Sequence, residues 1–401
     1  MRVLQINATY GYGSTGLIMQ DIGETLTAAG EEAFFAYQSA KELVPNGYCV
    51  GNRIDWKVHA VLCRLFGRQG YYSKAATRRF LRYLDEVKPD IVHLHNLHSN
   101  YIHLNDLLKY LAKKDIPTVI TMHDCWYFTG KCFHYVDVGC DGFQHGCGNC
   151  LKKEAPPASL LFDCSRAVLR DRIRFLSVVP RLKIVGCSEW ICGEAKKGFM
   201  RDFAITAIRN GVDITVFKPQ DKRALKTARG LQDKFVVMGM ANKWLLPSNR
   251  ALLERTVAML DDGAVLMLVG CTDGQKAQLA RYGDKVVCIG FVSDRAQMAA
   301  CYATADVFVN ATHADTLPTV NMESICCGTP VITYDSCGSP ELILEGCGYT
   351  VAEDDVDRML ERITAVRQSG AWDCSAIGAE HFDKNKSYRQ YMDVYRELVK
   401  A

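Results

Sequence analysis

Several things are missing from this chain, and each absence narrows the reading. No run of about 18 apolar residues is present, so no transmembrane helix is expected. The net charge is only +3, too small to mark a nucleic-acid partner. The start, MRVLQINATYGYG, reads as a strand and a turn and lacks the basic and apolar regions of an export signal. Tandem repeats and low-complexity segments are also absent. A cytoplasmic globular chain is therefore expected. Its 401 residues suffice for two domains with full cores, and a composition of 48% hydrophobic and 23% charged residues is ordinary for that class. Eighteen cysteines without an export signal read as thiols or metal ligands rather than disulfides.

Apolar runs alternate with helical stretches throughout. Strands are expected at Arg2–Asn7, Ala33–Tyr37, Ile91–Leu94, Thr118–Met122, Lys183–Cys187 and Ala204–Ile208, with helices at Thr15–Ala29, 57–87, 103–113 and 189–200. The alternation restarts with strands at Val236–Met240, Ala264–Val269, Val286–Gly290 and Val307–Asn310. Such alternation implies parallel α/β sheets with right-handed crossovers. Two sheets in series give two Rossmann-like domains, at residues 1–213 and 214–384, with Lys218–Asp233 as a polar linker. Ligands are expected at the carboxyl ends of the strands.

The most informative stretch is VNATHADTLPTVNMESICCGTPVITYDSCGSPELIL, from Val309 to Leu344. It reads as strand, loop, helix, strand, loop and helix. Pro318 suits the first helical turn, the helix runs Thr319–Cys327, and Gly328 stops it. A second helix is expected to open at Gly338-Ser339-Pro340-Glu341. A helix start at a strand's carboxyl end is an anion site, because free amides and the helix dipole face the loop. The amides of Leu317, Thr319 and Val320 would hold a diphosphate. Glu323, one turn in, would repel phosphate but accept bonds from two ribose hydroxyls. Asp315 would lie near the transferred sugar.

The spacing Asp315 to Glu323, followed by Cys327-Gly328-Thr329-Pro330-Val331, resembles the acid-x7-Glu motif of retaining GT-B glycosyltransferases of family four. Asp-x-x-Pro is frequent in their bacterial surface-polysaccharide branch. The resemblance covers nearly the whole chain and implies two Rossmann-like domains facing across a cleft, with the final helix, 385–401, crossing back onto the first domain. It implies a metal-independent hexosyltransferase that moves a sugar from a nucleoside-diphosphate donor to a sugar or lipid-linked acceptor with retention, a β-phosphate oxygen helping to deprotonate the acceptor. Activity at the inner face of a membrane would suit the basic, aromatic stretch Arg64–Arg82; a solvated helix face is the alternative.

Other motifs are read beside it. Gly11-Tyr12-Gly13-Ser14-Thr15-Gly16 matches G-x-G-x-x-G, but Tyr37-Gln38 replaces the acid a dehydrogenase needs, and Ala8–Gly11 lengthens the turn. By the resemblance, Gly13 and Gly16 instead face the donor, and Asn210 lies in an Asn-Gly-Val-Asp turn at the cleft. His123, followed by Asp124, resembles the family's His-Asp pair beside the transferred sugar, where it would donate to a hydroxyl or to the diphosphate. His93, His95 and His98 form H-x-H-x-x-H without a completing acid or thiol and are expected to line the acceptor side.

Cys132, Cys140, Cys147 and Cys150 sit in a glycine-rich loop of about 25 residues that needs a staple. A structural zinc, free thiols and a redox-labile pair all remain open. Where the family places Arg and Lys against the donor phosphates, this chain has Pro247 and Ser248; Lys243 and Arg250 are the nearby substitutes. That departure keeps a non-catalytic nucleotide-binding protein in view, beside a sugar phosphorylase on the same fold. Asp355-Val-Asp357 reads as acids at a helix start, not as a metal site.

Overall fold

The computed structural model describes residues 1–370 and 372–400. The chain divides into two compact units, Met1–Asn210 together with the chain from Ser387 on, and Gly211–Lys386. The first holds strands β1 (Arg2–Tyr10), β2 (Glu32–Ala40), β3 (Gly47–Cys49), β4 (Ile91–Leu94), β5 (Thr118–Met122), β6 (Leu182–Gly186) and β7 (Ile205–Ala207). They form one parallel sheet in the order β3-β2-β1-β4-β5-β6-β7. The second unit holds β8 (Phe235–Met240), β9 (Ala264–Val269), β10 (Val286–Ile289), β11 (Val307–Asn310), β12 (Val331–Tyr334) and β13 (Gly348–Val351). Their order is β10-β9-β8-β11-β12-β13, again all parallel.

Both sheets follow from the same sequence property. Runs such as AVLMLV in β9 and TVITM in β5 are buried at every position, as strands covered by helices on both faces must be. In each sheet the order reverses beside the first strand, between β1 and β4 and between β8 and β11. Crevices at the carboxyl ends of such strands are where ligands bind in open α/β sheets.

Several local expectations need correction. The stretch 57–87 is two helices, Arg53–Phe66 and Lys74–Val87, because Gly67 takes a left-handed φ of 68° and closes the first. The stretch 189–200 is a helix only over Glu189–Lys196, followed by a 3₁₀ turn. Lys218–Asp233 is not a bare linker: Asp221 caps the helix Lys222–Ala228, and Lys226 binds Asp306 at 2.6 Å. Ser339 and Pro340 start only a short 3₁₀ turn, Pro340–Leu342. β1 runs on to Tyr10, so the glycine turn follows it directly.

The final helix, Lys384–Lys400, packs on the first sheet. Tyr388, Tyr391, Met392 and Tyr395 are buried in one core cluster with Val3, Ile91 and Val119. Two of its tyrosines reach polar groups of the sheet: Tyr395 Oη lies 2.7 Å from His93 Nδ1, and Tyr391 Oη lies 2.9 Å from Thr121 Oγ1. Tyr395→Phe leaves the buried His93 nitrogen without that partner. It is expected to cost about 1–3 kcal/mol, read as a lower urea midpoint; an unchanged midpoint would show that the bond contributes nothing.

Candidate functional site

The strongest polar constellation in the second unit starts where β11 ends. The chain passes through a loop and enters the helix Thr319–Cys326, with Pro318 at the cap position rather than inside the first turn. No side chain caps this helix. The amides of Thr319 and Val320 precede the first intrahelical donor, as the first N–H groups of any helix do. The Leu317 amide is not available as expected: it donates to Asp315 Oδ1 at 3.1 Å. Asp315 therefore braces the loop with one oxygen, while its backbone carbonyl accepts from Gly338 N at 3.2 Å.

Glu323 lies one turn into this helix and is half-buried. Tyr302 Oη, on the helix Arg295–Thr304, donates to Glu323 Oε2 at 3.0 Å. Burial pushes the Glu323 carboxyl up to about 6, against the opposing effects of the Tyr302 bond and the positive charge of Arg295. Tyr302 and Arg295 were not foreseen. They sit on the preceding helix, and only a fold that lays that helix against Thr319–Cys326 reveals them.

The residues after β8 explain what replaces the expected cation pair. Ala241–Trp244 forms one helical turn, and Trp244 lies over Gly239, where a Cβ would come within 2.0 Å of the indole nitrogen. The indole Nε1 donates to the Val309 carbonyl at 3.0 Å, tying this turn to β11. Asn249 adds a second tie, donating to the Ala311 carbonyl at 2.8 Å. Pro247 and Ser248 are exposed in a 3₁₀ turn. Arg250 is exposed and paired with Glu254 at 2.8 Å, whereas Lys243 is half-buried and makes no ion pair among the described residues.

In the first unit, the carboxyl ends of β1, β4 and β5 carry the polar groups. Gly11 and Gly13 adopt left-handed φ values of 72° and 67°, and Gly13 precedes the helix Ser14–Ala28. Gly16 packs where a Cβ would meet Thr9 Oγ1 at 2.7 Å. Asn7 organises this turn by donating to the Thr9 carbonyl and to Thr15 Oγ1. His123 follows β5, and its Nε2 lies 3.0 Å from His95 Nδ1. Asp124 pairs with His98 at 2.8 Å and accepts from the Trp126 amide, so its partner is His98 and not His123. His93 and His95 are fully buried, so they do not form the expected acceptor-side wall. Asn210 is buried at the end of this unit. Asp213, just beyond it, is held down to about 2 by bonds to Thr215 and Lys384, which outweigh its burial.

The cysteine loop is stapled without a shared metal set. Among the described residues no group of three or more His, Cys, Asp or Glu is placed to hold a metal ion. Cys132 hydrogen-bonds Cys150, which pulls the Cys150 thiol down to about 6 and pushes Cys132 up. Cys140 accepts from the Gly142 amide instead. The four thiols therefore do not fit a common zinc site as arranged. Cations hold the loop: Lys131 donates to the Lys152 and Ala155 carbonyls, and Lys152 pairs with Asp137 at 2.7 Å. The Arg172 guanidinium stacks 3.9 Å from the Trp126 ring and donates to the Trp126 and Thr129 carbonyls.

Both halves of the chain resemble known proteins. The Glycosyltransferase Family 4 profile matches residues 18–216, and the Glycosyl transferases group 1 profile matches residues 233–369. The Escherichia coli (strain K12) protein WcaC, named for a glycosyl transferase of colanic acid biosynthesis, is 23% identical over 383 residues, 90% of each chain. Among solved structures, sucrose-phosphate synthase from Thermosynechococcus elongatus superposes with a TM-score of 0.68 at 16% identity, covering 99% of this chain and 98% of that one. Anabaena Alr3699/HepE in complex with UDP gives 0.65 at 17% identity, covering 99% and 100%. The fold of these neighbours is GT-B, and the two parallel α/β sheets described above are of that fold.

The Glu323 environment sets a testable titration. The folded carboxyl sits above the ordinary value of 4.5, so its neutral form is favoured by folding, and stability from this group falls as pH rises from about 4.5 through 6. Carboxyl ¹³C NMR is expected to show a midpoint of about 6 for Glu323, moving higher in Tyr302→Phe, where the bond favouring the charged form is gone. A midpoint in the ordinary range in both proteins would contradict this environment.

Proposed function

We propose, from the premise that the chain belongs to the group 1 glycosyltransferases of family four, that it transfers a sugar from a nucleoside diphosphate to an acceptor hydroxyl with retention. The carrying observation is the uncapped helix start at Thr319 and Val320 with Glu323 one turn behind it. Two free amides suit a diphosphate, and a carboxylate shielded from bulk water suits the paired ribose hydroxyls. The complexes of HepE with UDP and with UDP-glucose support a nucleotide-sugar donor. The name of WcaC supports a place in polysaccharide assembly.

In the reaction as proposed, the bond between the anomeric carbon and the diphosphate oxygen breaks, and the acceptor oxygen bonds to the same face of that carbon. The acceptor proton passes to the departing phosphate oxygen. Thr319 and Val320 amides and Lys243 take up the charge, Glu323 holds the ribose, and Asp315 and His123 attend the sugar. No metal or organic cofactor is invoked. Lys243 is preferred to Arg250, whose charge is already paired. Exposed Pro247 and Ser248 favour a second reading, a member that binds donor without turning it over.

A lipid-linked acceptor is proposed from one surface. On the helix Arg53–Phe66, Ile54, Val58 and Val61 are 71%, 51% and 57% exposed and share a face. Lys57 and Arg64 lie along the edge of that face and are exposed, and Arg68, just past the helix end, is exposed as well. Phe162 stacks beside Phe66, extending the apolar area. This basic, apolar surface suits anionic headgroups better than Lys74–Val87, whose Phe80 is turned into the core.

The test is nucleoside-diphosphate release across UDP-, GDP- and ADP-sugars, with and without lipid extract. One donor is expected to turn over. Glu323→Ala is expected to weaken its binding by about 1.5–3 kcal/mol per lost hydroxyl contact. Lys243→Ala should slow turnover on the order of tenfold or more, and Arg250→Ala should not. Binding without release would favour the second reading; no binding to any donor would overturn both.

A further inference from the structure

The first unit carries a buried polar chain that the proposed reaction does not by itself require. Gln5 on β1 is fully buried, and its Nε2 donates to the Met19 carbonyl at 3.1 Å. That bond fixes the amide orientation, because the opposite one would set two carbonyl oxygens against each other. Gln5 Oε1 then faces His95 Nε2 at 3.0 Å. An amide oxygen only accepts, so His95 carries its proton on Nε2. His95 is fully buried and lies among other imidazoles, which holds it well below its ordinary range and keeps it neutral. Its Nδ1 is therefore bare, and the partner 3.0 Å away, His123 Nε2, must donate to it.

We propose that Gln5 and His95 are positioning residues for His123, holding it as the Nε2–H tautomer so that its bare Nδ1 accepts a hydrogen bond from a hydroxyl of the transferred sugar. His123 is only half-buried, and its Nδ1 has no hydrogen bond to any described residue. A bare nitrogen pairs with a hydroxyl, which donates; it does not pair with a phosphate oxygen, which also accepts. The chain thus excludes the diphosphate as the His123 partner at neutral pH and reverses the hydroxyl contact read from the sequence: His123 accepts that bond rather than donating it. The sugar assignment rests on the transferase reading; the tautomer does not.

The test is ¹⁵N NMR of the full chain labelled at its histidine nitrogens, with His123→Asn identifying the His123 signals. At pH 7 the wild type is expected to show a protonated Nε2 and an unprotonated Nδ1 at His123. In Gln5→Leu, His95 loses its acceptor and can turn its proton toward His123, so the two His123 tautomers are expected to mix although Gln5 does not touch that ring. A protonated Nδ1 in the wild type overturns the proposal without any variant having to fold. An unchanged His123 spectrum in folded Gln5→Leu overturns the role of the chain. Neither readout depends on turnover, so a failure of the transferase reading would be seen separately, in the donor panel.

Discussion

Helix amides without a protein acceptor are the constraint on which the second unit depends. The helix Thr319–Cys326 begins at the carboxyl end of β11 with no side-chain cap, although Thr, Asn and Ser are common in the surrounding sequence. Its neighbours are committed elsewhere. Asp315, which could have capped the helix, instead braces the loop through the Leu317 amide. Trp244 and Asn249 bind the turn after β8 to the Val309 carbonyl in β11 and to the Ala311 carbonyl at the start of the same loop. These ties fix the loop beside two amides without an intrahelical partner, and under the proposed function such preorganised donors would meet the developing negative charge.

The first unit solves a different problem. Its central strands are buried on both faces, yet Gln5, Asn7, His93, His95 and Thr121 are polar and fully buried there. Each has its partner: Asn7 shapes the glycine turn, His93 and Thr121 receive the tyrosines of the final helix, and Gln5 with His95 reaches His123. A buried polar group costs stability unless it is paired, so such a network fixes one arrangement of rings and protons rather than a set of them. The strand ends are thereby made specific without any charged group being buried alone.

How much of this was legible in the sequence depends on whether the signal was local. Fully buried strands show as continuous apolar runs, so Ile91–Leu94, Thr118–Met122, Ala264–Val269 and Val307–Asn310 are bounded in the sequence as the structure has them. The short strands β3 and β13 carry too few apolar residues to be seen that way. Asp315 and Glu323 could be singled out because both lie in one strand–loop–helix segment. Tyr302, Arg295 and the Gln5–His95 pair were hidden because their partners are distant in sequence, although a glutamine inside RVLQINATY was a local sign. The cysteine spacing left zinc, free thiols and a redox-labile pair open, and spacing along a loop does not report the lysines and arginine that staple it. The break at Gly67 was masked by continuous basic and aromatic residues on both sides.

The most direct measurement of the central claim is a titration of UDP into protein labelled with ¹⁵N at threonine, valine and leucine, followed by amide NMR. The account predicts large shifts for Thr319 and Val320 as the diphosphate pairs with them, and little change at Leu317, whose amide stays on Asp315. UDP binding that leaves Thr319 and Val320 unmoved would contradict it.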